Sequence, residues 1–350
     1  MAAEVAEETV RWPAEWERHR ATWIAWPHHR LDWPGKFPLI PWVYAEIVRH
    51  LHQSEIVGIL VNDSDGQADA SRILAKSGID LTRIEFRHVL TDRVWVRDTA
   101  PIFVKTADNR NLALDWWFNG WAKYSNHLRD RSVPERLCAA NQWTRRLVEY
   151  QGRKVVLEGG SIDGNGAGVL LTTEECLLSK VQQRNPGLTR RDYEMIFAQH
   201  LGVKKVLWLN RGIAGDDTHG HIDDLARFVN ANTVVTVVET NHRDENYTPL
   251  QENLERLRGM TDVDGKPLNV VTLPMPGRLD FDSQRLPASY ANFYIANDRV
   301  LAPTFNDPND RIALDILAEL FPGRAVVGIH AVDLVWGLGT LHCLTQQEPA

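Results

Sequence analysis

The chain has 350 residues, 43% hydrophobic and 24% charged, with 39 Lys and Arg against 46 Asp and Glu for a net charge of −7. This composition excludes a disordered or fibrous chain and supplies ample apolar material for a buried core. The acidic balance and the lack of a Lys/Arg-rich run argue against a nucleic-acid partner and favour small cations, and the lack of 18 consecutive apolar residues predicts no membrane span.

The first residues, Met1 to Glu8, are acidic and lack the apolar segment of a secretory signal. Together with an odd cysteine count (Cys138, Cys176, Cys343), this predicts a cytoplasmic protein with reduced thiols. Six of the 13 Trp precede residue 43, which predicts an aromatic packing layer near the N-terminus. Apolar residues at three- and four-residue spacing predict helices over Pro41–Gln53, Asp69–Ser77, Val133–Gln151, Thr189–Leu201, Pro249–Met260 and Asn309–Phe321. Short β-rich runs lie between them, among them Glu55–Val61, Pro101–Lys105, Gly168–Thr172, Asp224–Asn230 and Ala325–Ile329. Interleaved strands and helices without a linker predict an α/β class and one domain over residues 1–350.

Hairpin-like segments opened by a polar residue begin near Asp98, Glu158, His221–Asp223, Ser289–Asn292 and Cys343, about 60, 64, 68 and 53 residues apart. Five such units fit a radial repeat whose innermost strands face one central pocket. Within Gly220-His221-Ile222-Asp223, strand alternation would place His221 and Asp223 on one face, an imidazole with a carboxylate partner suited to general acid/base work. The competing readings are a metal site at His219-x-His221-x-Asp223 and plain loop histidines. No HExxH or CxxC accompanies the former.

Cys343 falls in an expected terminal strand, so that the adjacent His342 should face away from whatever Cys343 faces. Cys138 and Cys176 fit buried apolar positions; Cys343, among Thr345, Gln346 and Gln347, fits one less well. Asp98, at the start of an apolar strand, and Glu158, after an apolar run, read by themselves as loop carboxylates.

Taken in order, Pro13-Ala14-Glu15-Trp16-Glu17, Trp26-Pro27-His28, Trp95-Val96-Arg97-Asp98, Glu158-Gly159-Gly160-Ser161, Gly220-His221-Ile222-Asp223, Ser289-Tyr290-Ala291-Asn292-Phe293-Tyr294 and His342-Cys343-Leu344-Thr345-Gln346-Gln347 resemble the agmatine deiminase family. That family lies within the guanidine-modifying (pentein) superfamily, which also contains bacterial peptidyl-arginine deiminases. The resemblance spans nearly the whole chain and implies a fivefold pseudosymmetric β/α propeller. It departs at Gly337-Leu338-Gly339-Thr340-Leu341, where the family commonly has Gly-Gly-Gly-Asn-Ile, a change that bears on pocket shape and substrate.

The resemblance further implies hydrolysis of a guanidinium to a ureido group with release of ammonia. Cys343 is then the nucleophile, His221 the acid/base, Glu158 its orienting acid, and Asp98 and Asp223 the carboxylates that hold the guanidinium. Trp95 offers an aromatic face to the distal ammonium of agmatine. The partner expected is a small guanidino molecule, with no metal and no organic cofactor; homo-oligomerisation is left open. Peptidyl-arginine or free arginine is the alternative substrate. A catalytically silent propeller acting as a binding module is the alternative of another class.

Overall fold

The computed structural model describes residues 9–350, so the acidic segment Met1–Glu8 lies outside the described residues. Five sheets repeat one order of elements. In each, a short first strand pairs antiparallel with a second, and the chain then crosses through a helix to a third strand parallel to the second. Asp163–Gly164, Val169–Thr173 and Lys205–Leu209 form one such sheet. Ala226–Asn230, Thr233–Val238 and Asn269–Pro274 form another, and Tyr294–Ile295, Arg299–Thr304 and Ala325–His330 a third. Ile102–Thr106, Asn111–Asp115 and Arg145–Leu147 follow the same plan, with Val10–Arg11 added at the edge. In the fifth sheet, Gln346–Pro349 lies antiparallel to His19–Ala25, which continues in parallel to Ile56–Val61 and Ile84–His88. Strands near the two ends of the described residues, His19–Ala25 and Gln346–Pro349, therefore share one sheet. None of the five sheets of described residues closes on itself.

The crossover helices are amphipathic and bury one face against these sheets, as the periodicity requires. Arg190–Leu201 shows how a boundary is set. Asp192 N donates to Thr189 Oγ1 at 3.3 Å and Thr189 N to Asp192 Oδ2 at 2.8 Å, a reciprocal cap worth about 1 kcal/mol. Gly202 ends the helix at φ 68°.

Two helix predictions are corrected. The helix expected over 133–151 stops at Asn141, because Gln142 turns left-handed (φ 57°) and Arg145–Leu147 then pairs with Asn111–Asp115. The helix expected from Asp69 begins at Ser64, where Asp63 caps Gly66 N. The Trp-rich N-terminal layer is present: Trp23, Trp26 and Trp33 are buried, and Trp23 meets Trp143 edge-on at 5.3 Å. Trp33 packs on Trp95 with ring centroids 5.7 Å apart, which ties that layer to the site described next.

Candidate active site

Each of these five sheets is entered through a turn that carries a polar residue, and these turns meet. Asp98 sits in the helical turn Val96–Thr99 before Ile102–Thr106, and Glu158 leads the turn Gly159–Ser161 before Asp163–Gly164. His221 leads the turn Ile222–Asp224 before Ala226–Asn230, while Asn292 and Cys343 stand two or three residues before Tyr294–Ile295 and Gln346–Pro349. Three local expectations are thereby corrected. His221 and Asp223 share a face through a tight turn, not a strand; Asp98 precedes its strand in a helical turn; and Cys343 lies in a turn before the last strand. Turns suit this task because they free side chains from the strict alternation of a strand.

Asp98 accepts Gly160 N at Oδ1 and Trp121 Nε1 at Oδ2, both at 2.9 Å. Burial nevertheless pushes its carboxyl up to about 6; His221 opposes this, while Asp223 and Glu158 add to it. Glu158 is as deeply buried, yet Arg184, with Nε 3.1 Å from Oε1, and His221 overcome the burial and hold the carboxyl at about 2. His221 lies among these acids: Nδ1 is 4.0 Å from an oxygen of Asp98 and of Asp223, and Nε2 is 3.7 Å from Glu158 Oε2. Burial opposes its charge, but Asp98, Cys176 and Glu158 raise its pKa well above the usual imidazole value.

Both ring nitrogens of His221, Glu158 Oε2 and Asp223 Oδ1 are buried and lack hydrogen-bond partners. Polar atoms so placed are costly unless a ligand completes them. Gly160 fits this point because a Cβ there would lie 2.5 Å from His221 Nδ1 and 2.9 Å from Asp98 Oδ1.

Cys343 Sγ lies 3.6 Å from Asp223 Oδ2 and accepts Asn292 Nδ2 at 3.1 Å. Asn292 Oδ1 in turn accepts Thr340 Oγ1 at 2.8 Å and His342 N at 3.0 Å, so that one amide fixes the turn that bears the sulfur. Burial and the carboxylates of Asp223, Asp224 and Asp98 push the Cys343 thiol well above its ordinary pKa; Asn292 opposes them. His342, expected to face away from the surroundings of Cys343, instead touches one of them: its Nδ1 is 2.7 Å from the same Asp223 Oδ2.

A cavity of about 390 Å³ reaches Cys343 and Asp98 between walls that include Trp95, Trp121, Trp336 and Leu338. Leu338, within the departure from the family run, lines the cavity in the left-handed region at φ 68°. Asp32, Arg93 and Asp217 also line it. Asp32 is paired with Arg93 at 2.5 Å and with His29 at 3.0 Å, and Asp217 with Lys123 and Tyr124.

The alternative metal trio is not assembled: His219 Nε2 meets Ser179 Oγ at 3.2 Å. Among the described residues, the His/Cys/acid group whose ligand atoms lie within 4.8 Å of one another is Glu158, Cys176 and His221, where Arg184 already supplies positive charge. Cys176, read as a plain core residue, thus stands beside the imidazole. Sequence reasoning did not assign Arg184, Trp121 or Asn292 to the site. Asn292 alone carried a signal, as the opening of the fourth hairpin.

A family model described as Porphyromonas-type peptidyl-arginine deiminase matches residues 11–349. The agmatine deiminase of Ectopseudomonas mendocina is 32% identical over 361 residues, covering 97% of this chain and 95% of that protein. The agmatine deiminase of Pseudomonas fluorescens is 33% identical over 361 residues, with the same shares of 97% and 95%. Among solved structures, the agmatine deiminase of Enterococcus faecalis superposes with a TM-score of 0.88 at 31% identity over 99% of this chain and 98% of that chain. A variant C. jejuni agmatine deiminase with substrate bound superposes with a TM-score of 0.86 at 29% identity, covering 97% and 96%. A saxitoxin-pathway amidinotransferase from Microseira wollei shares the fold alone, with a TM-score of 0.52 at 10% identity over 97% and 96%.

Proposed function

The chain belongs to the Porphyromonas-type peptidyl-arginine deiminase family, and on that footing we propose that it hydrolyses agmatine to N-carbamoylputrescine and ammonia. The observation that carries this reading is the convergence of the unpartnered ring nitrogens of His221 with Asp98, Asp223 and Glu158, next to the Cys343 sulfur.

A guanidinium is planar, cationic and rich in donors, and Asp98 and Asp223 receive it from two sides. Its charge offsets the carboxylates that hold the Cys343 thiol neutral, so the thiol gives its proton to solvent and becomes nucleophilic. The thiolate attacks the central carbon. Protonated His221 gives its proton to the departing nitrogen, and ammonia leaves a cationic thiouronium on Cys343. Neutral His221 then takes a proton from water, and the hydroxide adds to the same carbon. Collapse expels the thiolate and forms the ureido carbonyl, and the remaining O–H proton converts ammonia to ammonium. Glu158, fixed by Arg184, stabilises the charged imidazole.

Asp32 and Asp217 suit the distal ammonium of agmatine, and Trp95 its aliphatic chain. Free arginine or peptidyl-arginine is the second reading, favoured by Arg93 in the same cavity, which could meet a carboxylate. The same proposal includes one domain, a cytoplasmic location, no nucleic-acid partner, and five sheets set as a fivefold pseudosymmetric propeller. The shared strand order of the sheets and the single turn that each contributes to the site support that arrangement. Among the described residues, no helix is long and apolar enough to cross a membrane.

The test is a ureido-product assay on purified protein with agmatine, arginine and a blocked arginine peptide in parallel. Turnover of agmatine alone is the expected result. Turnover of the other two alone would keep the chemistry and overturn the substrate, and no turnover of any would overturn the reading.

A further inference from the structure

His342 is spent neither on the chemistry nor on the core, although it is buried beside the nucleophile. Its Nδ1 is 2.7 Å from Asp223 Oδ2, and its Nε2 is 2.8 Å from Glu15 Oε2. Glu15 is anchored in turn. Its Oε1 accepts Ile295 N at 2.8 Å and lies 3.0 Å from Arg227 Nη2, and its Oε2 lies 3.3 Å from Arg97 Nη2. Arg227 Nε continues to Asp163 Oδ1 at 2.9 Å, and Arg97 Nε donates to His342 O at 3.3 Å. A continuous polar chain therefore runs from the carboxylate beside the sulfur, through one imidazole, to two buried guanidinium groups.

We propose that Asp223, His342 and Glu15 form a relay in which His342 is a positioning residue. It orients Asp223 and keeps that carboxylate ionised, so that the enzyme can take a guanidinium without first removing a proton there. The proposal rests on the deiminase reading and extends it to a residue that touches neither substrate nor sulfur.

Asp223 stands among Asp98, Asp224 and the Cys343 thiol, with His221 and Arg227 also acting on it, and neighbouring carboxylates resist joint ionisation. Burial alone would protonate Asp223; His342 first, and then His221 and Arg227, hold it below its ordinary value. Glu15, which faces Arg227, His342, Arg97 and Asp163, is itself held well below the carboxylate range, against its burial, by Arg227, His342 and Arg97. It thus presents a fixed acceptor that orients the ring.

Without His342, the Asp223 pKa rises and the carboxylate protonates at a higher pH, so that a second protonation joins the Asp98 limb at about 6 and the acid side of kcat/KM steepens. Loss of one charge-assisted hydrogen bond corresponds to about one to two pH units.

The experiment is the pH profile of kcat/KM for agmatine with wild type, His342→Ala, His342→Asn and Glu15→Gln. Agmatine binding to each in a Cys343→Ser background, followed by calorimetry across the same range, separates binding from chemistry. The expected result is a steeper acid side in His342→Ala, with kcat/KM at about pH 4.5 about two- to tenfold further below its own plateau than in wild type, a smaller extra loss in His342→Asn, whose amide can still donate to Asp223, and activity near pH 9 within about threefold of wild type. Glu15→Gln should steepen the acid side in the same way and carries the test if His342→Ala does not fold. Profiles lowered by one factor at every pH would overturn the relay, because loss of packing alone does that. Wild-type protein that turned over no guanidine would overturn the deiminase reading and the relay with it.

Discussion

Replacing Asp98 by Asn removes one of the two carboxylates assigned to the guanidinium while keeping the side chain's shape. At about 4 Å and an effective dielectric near 20, a carboxylate offers a guanidinium about 4 kcal/mol before desolvation. Most of the desolvation cost is already borne by the empty enzyme. A carboxyl raised from 3.8 to about 6 is ionised at neutral pH at a cost of about 3 kcal/mol, and the substrate cation relieves that cost on arrival. Asn has no such cost and no such relief. The net loss is about 2–4 kcal/mol, or about 30- to 1000-fold in kcat/KM.

The pH profile adds a second signature. Wild type should lose activity as pH falls through about 6, where Asp98 protonates, and Asp98→Asn should lack that limb. Gly160 N and Trp121 Nε1 both donate to Asp98, so Asn can satisfy only one of them; thermal unfolding therefore accompanies the ureido assay to show that the variant is folded. A folded Asp98→Asn enzyme with kcat/KM within about threefold of wild type would refute the assignment.

Glu158→Gln should lower kcat far more than it changes KM, because the imidazole loses its charge partner, and should destabilise the fold by about 3–5 kcal/mol because Arg184 stays buried without its paired carboxylate. Kinetics and denaturant unfolding check the two halves, and an unchanged stability would contradict the buried pair. Asp130, outside the site, accepts Asp92 N at 2.7 Å and Arg93 N at 3.2 Å, and burial raises its carboxyl to about 7. Its folded pKa exceeds the ordinary 3.8, so stability is full below that value and is lost as pH rises through about 7. Asp130→Asn should therefore raise the unfolding free energy at about pH 8, by up to about 4 kcal/mol, and leave it nearly unchanged at about pH 4. An equal effect at both pH values would contradict this.

The interleaved pattern and the roughly regular hairpin spacing were legible because each unit must build its own strand–strand–helix–strand sheet, and that demand leaves periodic apolar runs. The turns were less legible. His221 and Asp223 were paired by strand alternation, and they do converge, but through a tight turn whose backbone leaves no period in the sequence. The helix beyond Asn141 was overextended because Trp143, Leu147 and Tyr150 continue a helical spacing that the left-handed Gln142 interrupts. Arg184 and Trp121 could not be found locally: each acts on a partner more than 20 residues away, Arg184 on Glu158 and Trp121 on Asp98, and nothing in its immediate neighbours marks it. Glu15 lay in a recognised motif, but its contact with His342, 327 residues on, did not show there. Cys176 looked like core because it is core by burial; only the three-dimensional arrangement puts His221 against it.

The carboxylate cage around Cys343 has a chemical consequence between turnovers. Oxidants and electrophiles attack thiolates, not thiols. A sulfur held protonated by Asp223, Asp224 and Asp98 is a poor target for peroxide while the pocket is empty, and it becomes reactive when a cation is already in place to consume it. The acids proposed to recognise the substrate would thus also act as a safety catch on the proposed nucleophile.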